Sequence, residues 1–296
     1  MNHDCWNIAI RKGEYGGILS DLTAPFTVLP NGATYWLADP MIFEHEGVCF
    51  IFAELYSYFD LKGRIAVAQL RDNGTVSRWK TVISEPFHMS YPFVFEASGK
   101  IYMIPETNED NSLRLYEAVS FPHRWKLVKK IIDGVKWVDT TIFKTTAGFS
   151  GFTRAHEDND IDYAIELDAD LNLISAQALH HEDDDKSYRC GGRCISIDGK
   201  TIRVCQDERN GYGAGLFFRM ANNQGGEAVR EIHSADLKTD IHANWVGLHT
   251  YTSAGGWEVI DLKSRRNSLL EIIIIHIHRF MRRLVKAYNR RFKKKC

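Results

Sequence analysis

Residues 91–106 read YPFVFEASGKIYMIPE, two short apolar runs joined at Ser98-Gly99 and closed by the carboxylate of Glu106. Bulky and polar side chains alternate on either side of a two-residue turn signal, the pattern of a β-hairpin. Four further segments align with it on their turn glycines: DPMIFEHEGVCFIFAE (39–54), DTTIFKTTAGFSGFTR (139–154), GRCISIDGKTIRVCQD (192–207) and, more loosely, GLHTYTSAGGWEVID (247–261). Their starts at 39, 91, 139, 192 and 247 lie about fifty residues apart, a period that marks a repeat architecture.

Between the hairpins run further strand-like segments: GRIAVAQL (63–70), LRLYEAV (113–119), DYAIELD (162–168) and GLFFRMA (215–221). Four strands in each unit of this length make a propeller blade. The sequence therefore predicts an all-β fold, a five-bladed β-propeller over 1–262, with DCWNIAI (4–10) lending a strand to the last blade to close the ring. An ordinary β-sandwich whose hairpins resemble one another is the competing architecture. A helical repeat is disfavoured by the apolar period of two and by the β-branched and aromatic content of the runs.

The composition, 44% hydrophobic and 12% aromatic over 296 residues, supplies a large core. Charge is unevenly placed. Nine Lys/Arg and no Asp/Glu follow His278, which leaves 28 basic against 38 acidic residues in 1–278. An acidic body argues against nucleic acid as a partner. The six cysteines form no CxxC pair and no dense disulfide framework, so they are read as buried or incidental thiols in a reducing compartment. The N-terminus has no basic segment followed by an apolar stretch, and a cytoplasmic location is expected.

Residues 263–296 read as a separate tail. Within LLEIIIIHIHRFMRRLVKAYNRRFKKKC (269–296) the unbroken apolar run is too short to span a bilayer. As a helix the segment places Ile273, Ile277, Phe280, Leu284 and Tyr288 near one face, with Arg279, Arg282, Arg283, Lys286 and Arg290 largely elsewhere. A C-terminal amphipathic basic helix lying on an anionic membrane surface is expected, peripheral on the inner membrane; a helix docking on a partner is the rival.

In a propeller the inner strands line the axis, so equivalent positions of different blades converge. The residues opening the units are Asp39, Tyr91, Asp139, the stretch from Arg189 to Arg193, and His249; those closing the second strands are Glu54, Glu106, Arg154, Asp207 and Asp261. Pro40 is expected to hold Asp39 extended at its strand entrance. Asp39 and Asp139, flanked by Trp36 and Trp137, suit glycosyl chemistry, in which one carboxyl group does acid or base work beside another. Glu54, Glu96 and Glu106 are further carboxylate candidates, with Glu106 joined to Asp39 and Asp139 as catalytic. Arg154, Arg189 and Arg203 match an anionic sugar or a sugar-nucleotide donor, or else neutralise carboxylates in a buried network. Gln206, Asp207 and Tyr212 in RVCQDERNGYG (203–213), together with Tyr91 and Glu54, are candidates for sugar hydroxyls. His88, His156, His233, His242 and His249 are too scattered to define a metal site, although His249 on the axis could ligate a cation or a water. No cofactor is indicated. GxxxxGK[ST], GxSxG, HExxH, DxDxDG and strand-linked GxGxxG motifs do not occur.

WLADPMIF, HMSYPFVFEASGKIYMIPET, LYEAVSFPHRW, VDTTIF, RVCQDERNGYG and GLHTYT, in that order, resemble the N-terminal domain of the plant glucosamine inositolphosphorylceramide transferases and its bacterial relatives, from about residue 35 to 262. The resemblance implies a five-bladed propeller distantly similar to arabinanases, fructosidases and levansucrases. In those hydrolases a blade-one Asp looks like the match for Asp39 and a later one for Asp139. Their glutamate acid has no clean counterpart in the fourth blade, where Arg189, Gln206 and Asp207 stand, which weighs against simple hydrolysis. The plant relatives also bear a separate glycosyltransferase domain that has no match in these residues. The expectation is a glycosyltransferase of bacterial cell-surface polysaccharide or lipopolysaccharide assembly, taking a sugar or sugar-nucleotide donor and a glycan or glycolipid acceptor. Asp39 would act as base, Asp139 or a nearby Glu would stabilise charge at the anomeric carbon, and the arginines would hold the donor. A glycoside hydrolase and a non-catalytic glycan-binding or scaffold propeller are the alternatives.

Overall fold

The computed structural model describes residues 3–156, 160–179, 181, 186–221 and 226–266, with 273–274, 276–277 and 280–281 of the tail. Four consecutive four-stranded antiparallel meanders follow one another along the chain. Blade one comprises Tyr35–His45, Val48–Ser57, Lys62–Leu70 and Lys80–Ile83; blade two, Ser90–Ala97, Lys100–Glu106, Ser112–Ser120 and Arg124–Asp133. Blade three comprises Trp137–Lys144, Phe149–Ala155, Ile161–Leu167 and Leu173–Ala178; blade four, Ile195–Ile197, Lys200–Asp207, Gly215–Met220 and Ala228–His233.

The fifth blade joins the two ends of the chain. Trp245–Gly247 and Tyr251–Ala254 both pair with Trp257–Arg266, which pairs in turn with His3–Lys12, and Thr27–Val28 forms the outer edge. The closing pair runs without a break from His3↔Arg266 to Lys12↔Trp257. DCWNIAI thus completes the ring as its sequence suggested, and the last strand reaches four residues beyond the expected boundary at 262.

Alternation explains why this strand is apolar on both faces. Successive side chains of a strand point to opposite sides. Ile8 and Ile10 enter a core with Leu37, Ile42 and Ile51 of blade one, whereas Ala9 enters one with Val204 and Leu216 of blade four. A strand sandwiched between blades needs apolar residues at every step. Blades one, two and three share the largest core, around Phe52, Phe93, Met103, Leu115 and Phe152.

The expected basic helix over 269–296 lies, apart from the six residues named above, outside the described residues. Among the described residues no helix is long and apolar enough to cross a membrane.

Because Ile8 is fully buried at the seam that closes the ring, replacing it with Ala is expected to lower unfolding stability by about 2–5 kcal/mol. A shift of the urea midpoint with an unchanged slope is the measurement; no shift would mean that the seam contributes nothing.

Candidate active site

At the head of each of the first three blades, the inner strand sets two residues against one. The ladder passes from Ala38↔Glu54 to Met41↔Phe52, from Ser90↔Glu106 to Phe93↔Ile104, and from Val138↔Arg154 to Thr141↔Phe152. These are β-bulges, which bend a strand and re-aim its side chains. The first unpaired residue is left-handed in every case: Asp39 has φ 51°, Tyr91 42° and Asp139 49°. The extended Asp39 expected from Pro40 is therefore not what forms; the bulge overrides the preference of a pre-proline residue. Such conformations cost about 1–3 kcal/mol each and persist where their surroundings hold them.

Hydrogen bonds do the holding at Asp39. Its Oδ2 accepts the Tyr91 amide (3.1 Å), its Oδ1 accepts the Thr250 hydroxyl (3.1 Å), and its own amide donates to Asp261 Oδ2 (3.1 Å). Asp261 also accepts the His249 and Thr250 amides through Oδ1 (3.0 and 2.9 Å) and meets His249 Nδ1 at 2.6 Å, while His249 Nε2 lies 3.6 Å from Asp39 Oδ1. Trp6 stacks on the His249 ring at 3.8 Å.

Beside this triad opens a cavity of about 360 Å³, lined by Asp39, Glu54, Glu106, Arg189, Tyr212 and His249 among the expected residues. Its volume falls within the range of small-molecule sites. Trp6, Trp36, Tyr56, Tyr58 and Tyr212 supply aromatic wall, with Trp36 and Tyr56 stacked at 4.5 Å. Burial raises Asp39 to about 6, the His249 charge pulling it down and the Asp139 and Asp261 charges pushing it up. Burial, then the Asp39 and Glu106 charges, drives Glu54 well above the usual carboxyl range. Glu106 is raised in the same way by burial and by Asp139, against the opposing pull of Arg189. Burial thus favours the protonated form of Glu54 and of Glu106.

Several residues expected to face a ligand do not line the cavity. Asp139 is buried behind the wall, where its Oδ2 takes Arg189 Nε (2.6 Å) and Gln206 Nε2 (2.7 Å) and where it shares a hydrogen bond with Glu106. Gln206 holds Asp139 and the Cys190 carbonyl (2.8 Å) and is not offered to a sugar. Tyr91 is fully buried, its hydroxyl bonded to Thr141 and to the Gly192 backbone. Asp207 binds Arg209 through its amide and guanidinium, closing a turn. Glu96 is exposed at the far end of its hairpin.

The anion clamp expected of the arginines is not formed. Arg154 makes a two-pronged pair with Asp162 (2.9 Å each) and a third contact with Glu208 (2.6 Å). Arg203 turns toward blade three, 3.7 Å over the Phe152 ring, and donates to the Tyr188 carbonyl. Arg189 reaches the cavity but contacts Asp139, Glu106 (3.8 Å) and Glu208 (3.4 Å). The alternative reading, in which arginines neutralise buried carboxylates, describes Arg154 and Arg189.

Tyr56, two residues after Glu54 and on the same strand face, was open to a period-two argument. Trp6 and His88 were not, since one lies in the closing strand and the other in a connection between blades. Asp39, His249 and Asp261 offer ligand atoms within 4.8 Å of one another. His249 Nδ1 is engaged by Asp261, which leaves Nε2 as the imidazole atom on the side of Asp39.

Together these features define a five-bladed propeller with an acidic, aromatic-walled pocket on its axis. Residues 28–247 match the family described as glucosamine inositolphosphorylceramide transferase 1, N-terminal, and the chain belongs to that family. A transferase 1 from Arabidopsis thaliana is 29% identical over 212 residues, 67% of this chain and 27% of the relative. Its counterpart from Oryza sativa subsp. indica is 30% identical over 195 residues, 60% and 25% of the two chains. The chain thus spans about a quarter of the length of these relatives. Among solved structures, the propeller is similar to an α-L-arabinofuranosidase from Coprinopsis cinerea (TM-score 0.59, 11% identity, covering 83% of this chain and 96% of that one). A Bacillus subtilis arabinanase gives a TM-score of 0.54 at 10% identity, covering 77% and 94%. Both likenesses are of fold.

The raised Asp39 makes a signed prediction. Its folded pKa of about 6 lies above the ordinary 3.8, so the folded state holds a proton there that the unfolded chain releases. The cost of the buried charge is absent below pH 4 and complete above pH 6. Burial disfavours the His249 imidazolium, but Asp261 and Asp39 outweigh it and raise its pKa above 6.5, so His249 stays charged through this window. Asp39→Asn is expected to gain up to about 3 kcal/mol over wild type between pH 4 and pH 7. Urea titrations across that range measure it; a constant difference would refute the ionisation.

Proposed function

We propose that the axial pocket binds a sugar unit of a glycan or glycolipid and breaks its glycosidic bond, passing the sugar to water or to a hydroxyl acceptor. What carries this reading is the presence of Asp39 and of Glu54, whose pKa burial raises, in one cavity with aromatic rings. Cleaving a glycosidic C–O bond needs a carboxylic acid to protonate the leaving oxygen and a carboxylate to activate the incoming hydroxyl. Glu54 is suited to the first task and Asp39, ionised above about pH 6, to the second. The aromatic rings offer apolar faces to a sugar.

A nucleotide-diphosphate donor is poorly served by this pocket, because Arg154, Arg189 and Arg203 are engaged or turned away. The relatives' name, a transferase acting with glucosamine and inositolphosphorylceramide, supports a glycolipid acceptor. An assembly role in surface glycans on the inner face of a membrane fits the basic tail, whose Ile273, Ile277, Phe280 and Met281 are exposed.

Two experiments test the reading. With nitrophenyl glycosides, whose leaving group needs little protonation, Glu54→Gln is expected to retain most activity, whereas with alkyl glycosides it falls about 10²–10⁴-fold; Asp39→Asn loses both. If the wild-type chain turns over none of a broad glycoside panel, the catalytic reading is lost and a binding propeller replaces it. For the tail, the full chain should sediment with phosphatidylglycerol-containing vesicles and not with pure phosphatidylcholine, and release as salt rises. Equal partition into both would remove the electrostatic address.

A further inference from the structure

Glu54 carries the acid role in the reading above, yet its Oε1 is buried without a hydrogen bond. His88 Nε2 lies 3.4 Å from it. His88 belongs to the connection between the outer strand of blade one and the inner strand of blade two, outside every repeat equivalence.

Three contacts fix where this imidazole points. The Gly63 amide donates to His88 Nδ1 at 3.0 Å. A nitrogen that accepts a backbone N–H cannot carry a proton, so in the neutral ring the proton is on Nε2, facing Glu54. Met89, next in the chain, donates its amide to the Gly63 carbonyl at 3.2 Å, and Lys62 Nζ donates to the Glu85 carbonyl at 2.6 Å, which strap the connection to the third strand of blade one.

Gly63 is part of the same arrangement. A Cβ there would lie 2.5 Å from Glu54 Oε1, 2.8 Å from His88 Cε1 and 2.4 Å from the Met89 carbonyl. Its backbone φ is not in the left-handed region, so space alone requires the glycine.

We infer that His88 is a positioning residue for Glu54: the Gly63 amide locks the imidazole with Nε2–H aimed at Glu54 Oε1, and the absent side chain at 63 keeps that contact open. The inference rests on Glu54 being the acid of the pocket. His88 does not relay the proton, because its Nδ1 is capped and has none to accept in exchange. It offers a fixed donor to the carboxylate left when Glu54 gives its proton to the leaving oxygen, and it keeps the carboxyl turned toward the cavity. The charges that raise Glu54 after burial are those of Asp39, Glu106, Asp261 and Asp139, and Arg189 and His249 line the same cavity; burial lowers the pKa of His88 below the ordinary 6.5, with Glu109 opposing and Lys62 adding to the shift.

The test needs no substrate. Long-range ¹H–¹⁵N correlations on the full chain at pH 7 are expected to show His88 protonated at Nε2 and bare at Nδ1; the opposite tautomer overturns the inference. A ¹³C-carboxyl titration, with Glu54 assigned by its loss in Glu54→Gln, should place Glu54 about one pH unit higher in His88→Ala than in wild type, since the charged form loses a donor. His88→Gln, which returns an N–H at the Nε2 position, should restore most of the difference. No change in His88→Ala, or equal changes in both variants, sinks the role of His88 whether or not the chain cleaves glycosides. An intact His88 effect with no glycoside turnover instead sinks only the catalytic reading.

Discussion

Contacts of Tyr91, direct or through Gly192, tie the five blades together at the axis. From the head of blade two its hydroxyl bonds Thr141 of blade three at 2.7 Å and both the amide and the carbonyl of Gly192, which leads into blade four. Gly192 forms a bridge to Tyr251 of blade five, so close that a Cβ at 192 would lie 1.9 Å from the Tyr251 carbonyl. The Tyr91 amide reaches back to Asp39 of blade one. A bulky residue at φ 42° is strained, and the strain is sustained because every polar atom it presents to the axis is bonded. Moving Tyr91 would release Asp39 on one side and Gly192 on the other.

Because the axis is fixed this way, the charges around it cannot rearrange to suit themselves. Asp39, Glu54, Glu106, Asp139 and Asp261 are held near one another by backbones in different blades. Packed carboxylates in a place of low polarity do not all ionise, and the proton is kept where burial is greatest and counter-charge least. Asp139 has Arg189 and Gln206 as donors; Glu54 has an Oε1 without a hydrogen bond, with His88 Nε2 3.4 Å away. With so few donors beside it, burial favours the proton on Glu54.

Much of this was legible in the sequence, and the parts that were not have physical reasons. The hairpin period revealed five blades because turn glycines and alternation are local properties. The pairing of DCWNIAI with the last blade was legible from its apolar run. The convergence of Asp39, Glu54, Glu106 and His249 followed from blade equivalence alone. What equivalence does not encode is side-chain direction beyond a bulge: Asp139 turns behind the wall, and Asp39 is left-handed despite Pro40. Nor does it encode partners from neighbouring blades, and for that reason Arg154 and Arg203, placed by spacing beside a ligand, are taken by Asp162 and by Phe152. Trp6 and His88 lie outside the repeat and had no equivalents to point to them.

The break in the repeat at blade three decides which way the pocket faces. Glu54 and Glu106 pair across from Ala38 and Ser90, just before the bulge, and Arg154 occupies the same place opposite Val138. A third glutamate there would have put another buried acid beside Asp162 and Glu208. With arginine instead, a line of alternating charge runs from Asp162 through Arg154, Glu208 and Arg189 to Asp139, and each guanidinium is engaged by carboxylates. That side of the axis becomes a neutralised wall. Glu54, whose Oε1 has no hydrogen bond, is left on the blade-one side with Trp36 and Tyr56 along the cavity. A single exchange of charge at one repeat position thus turns a five-fold frame into a one-sided pocket, and it does so without altering the backbone register that the repeat imposes.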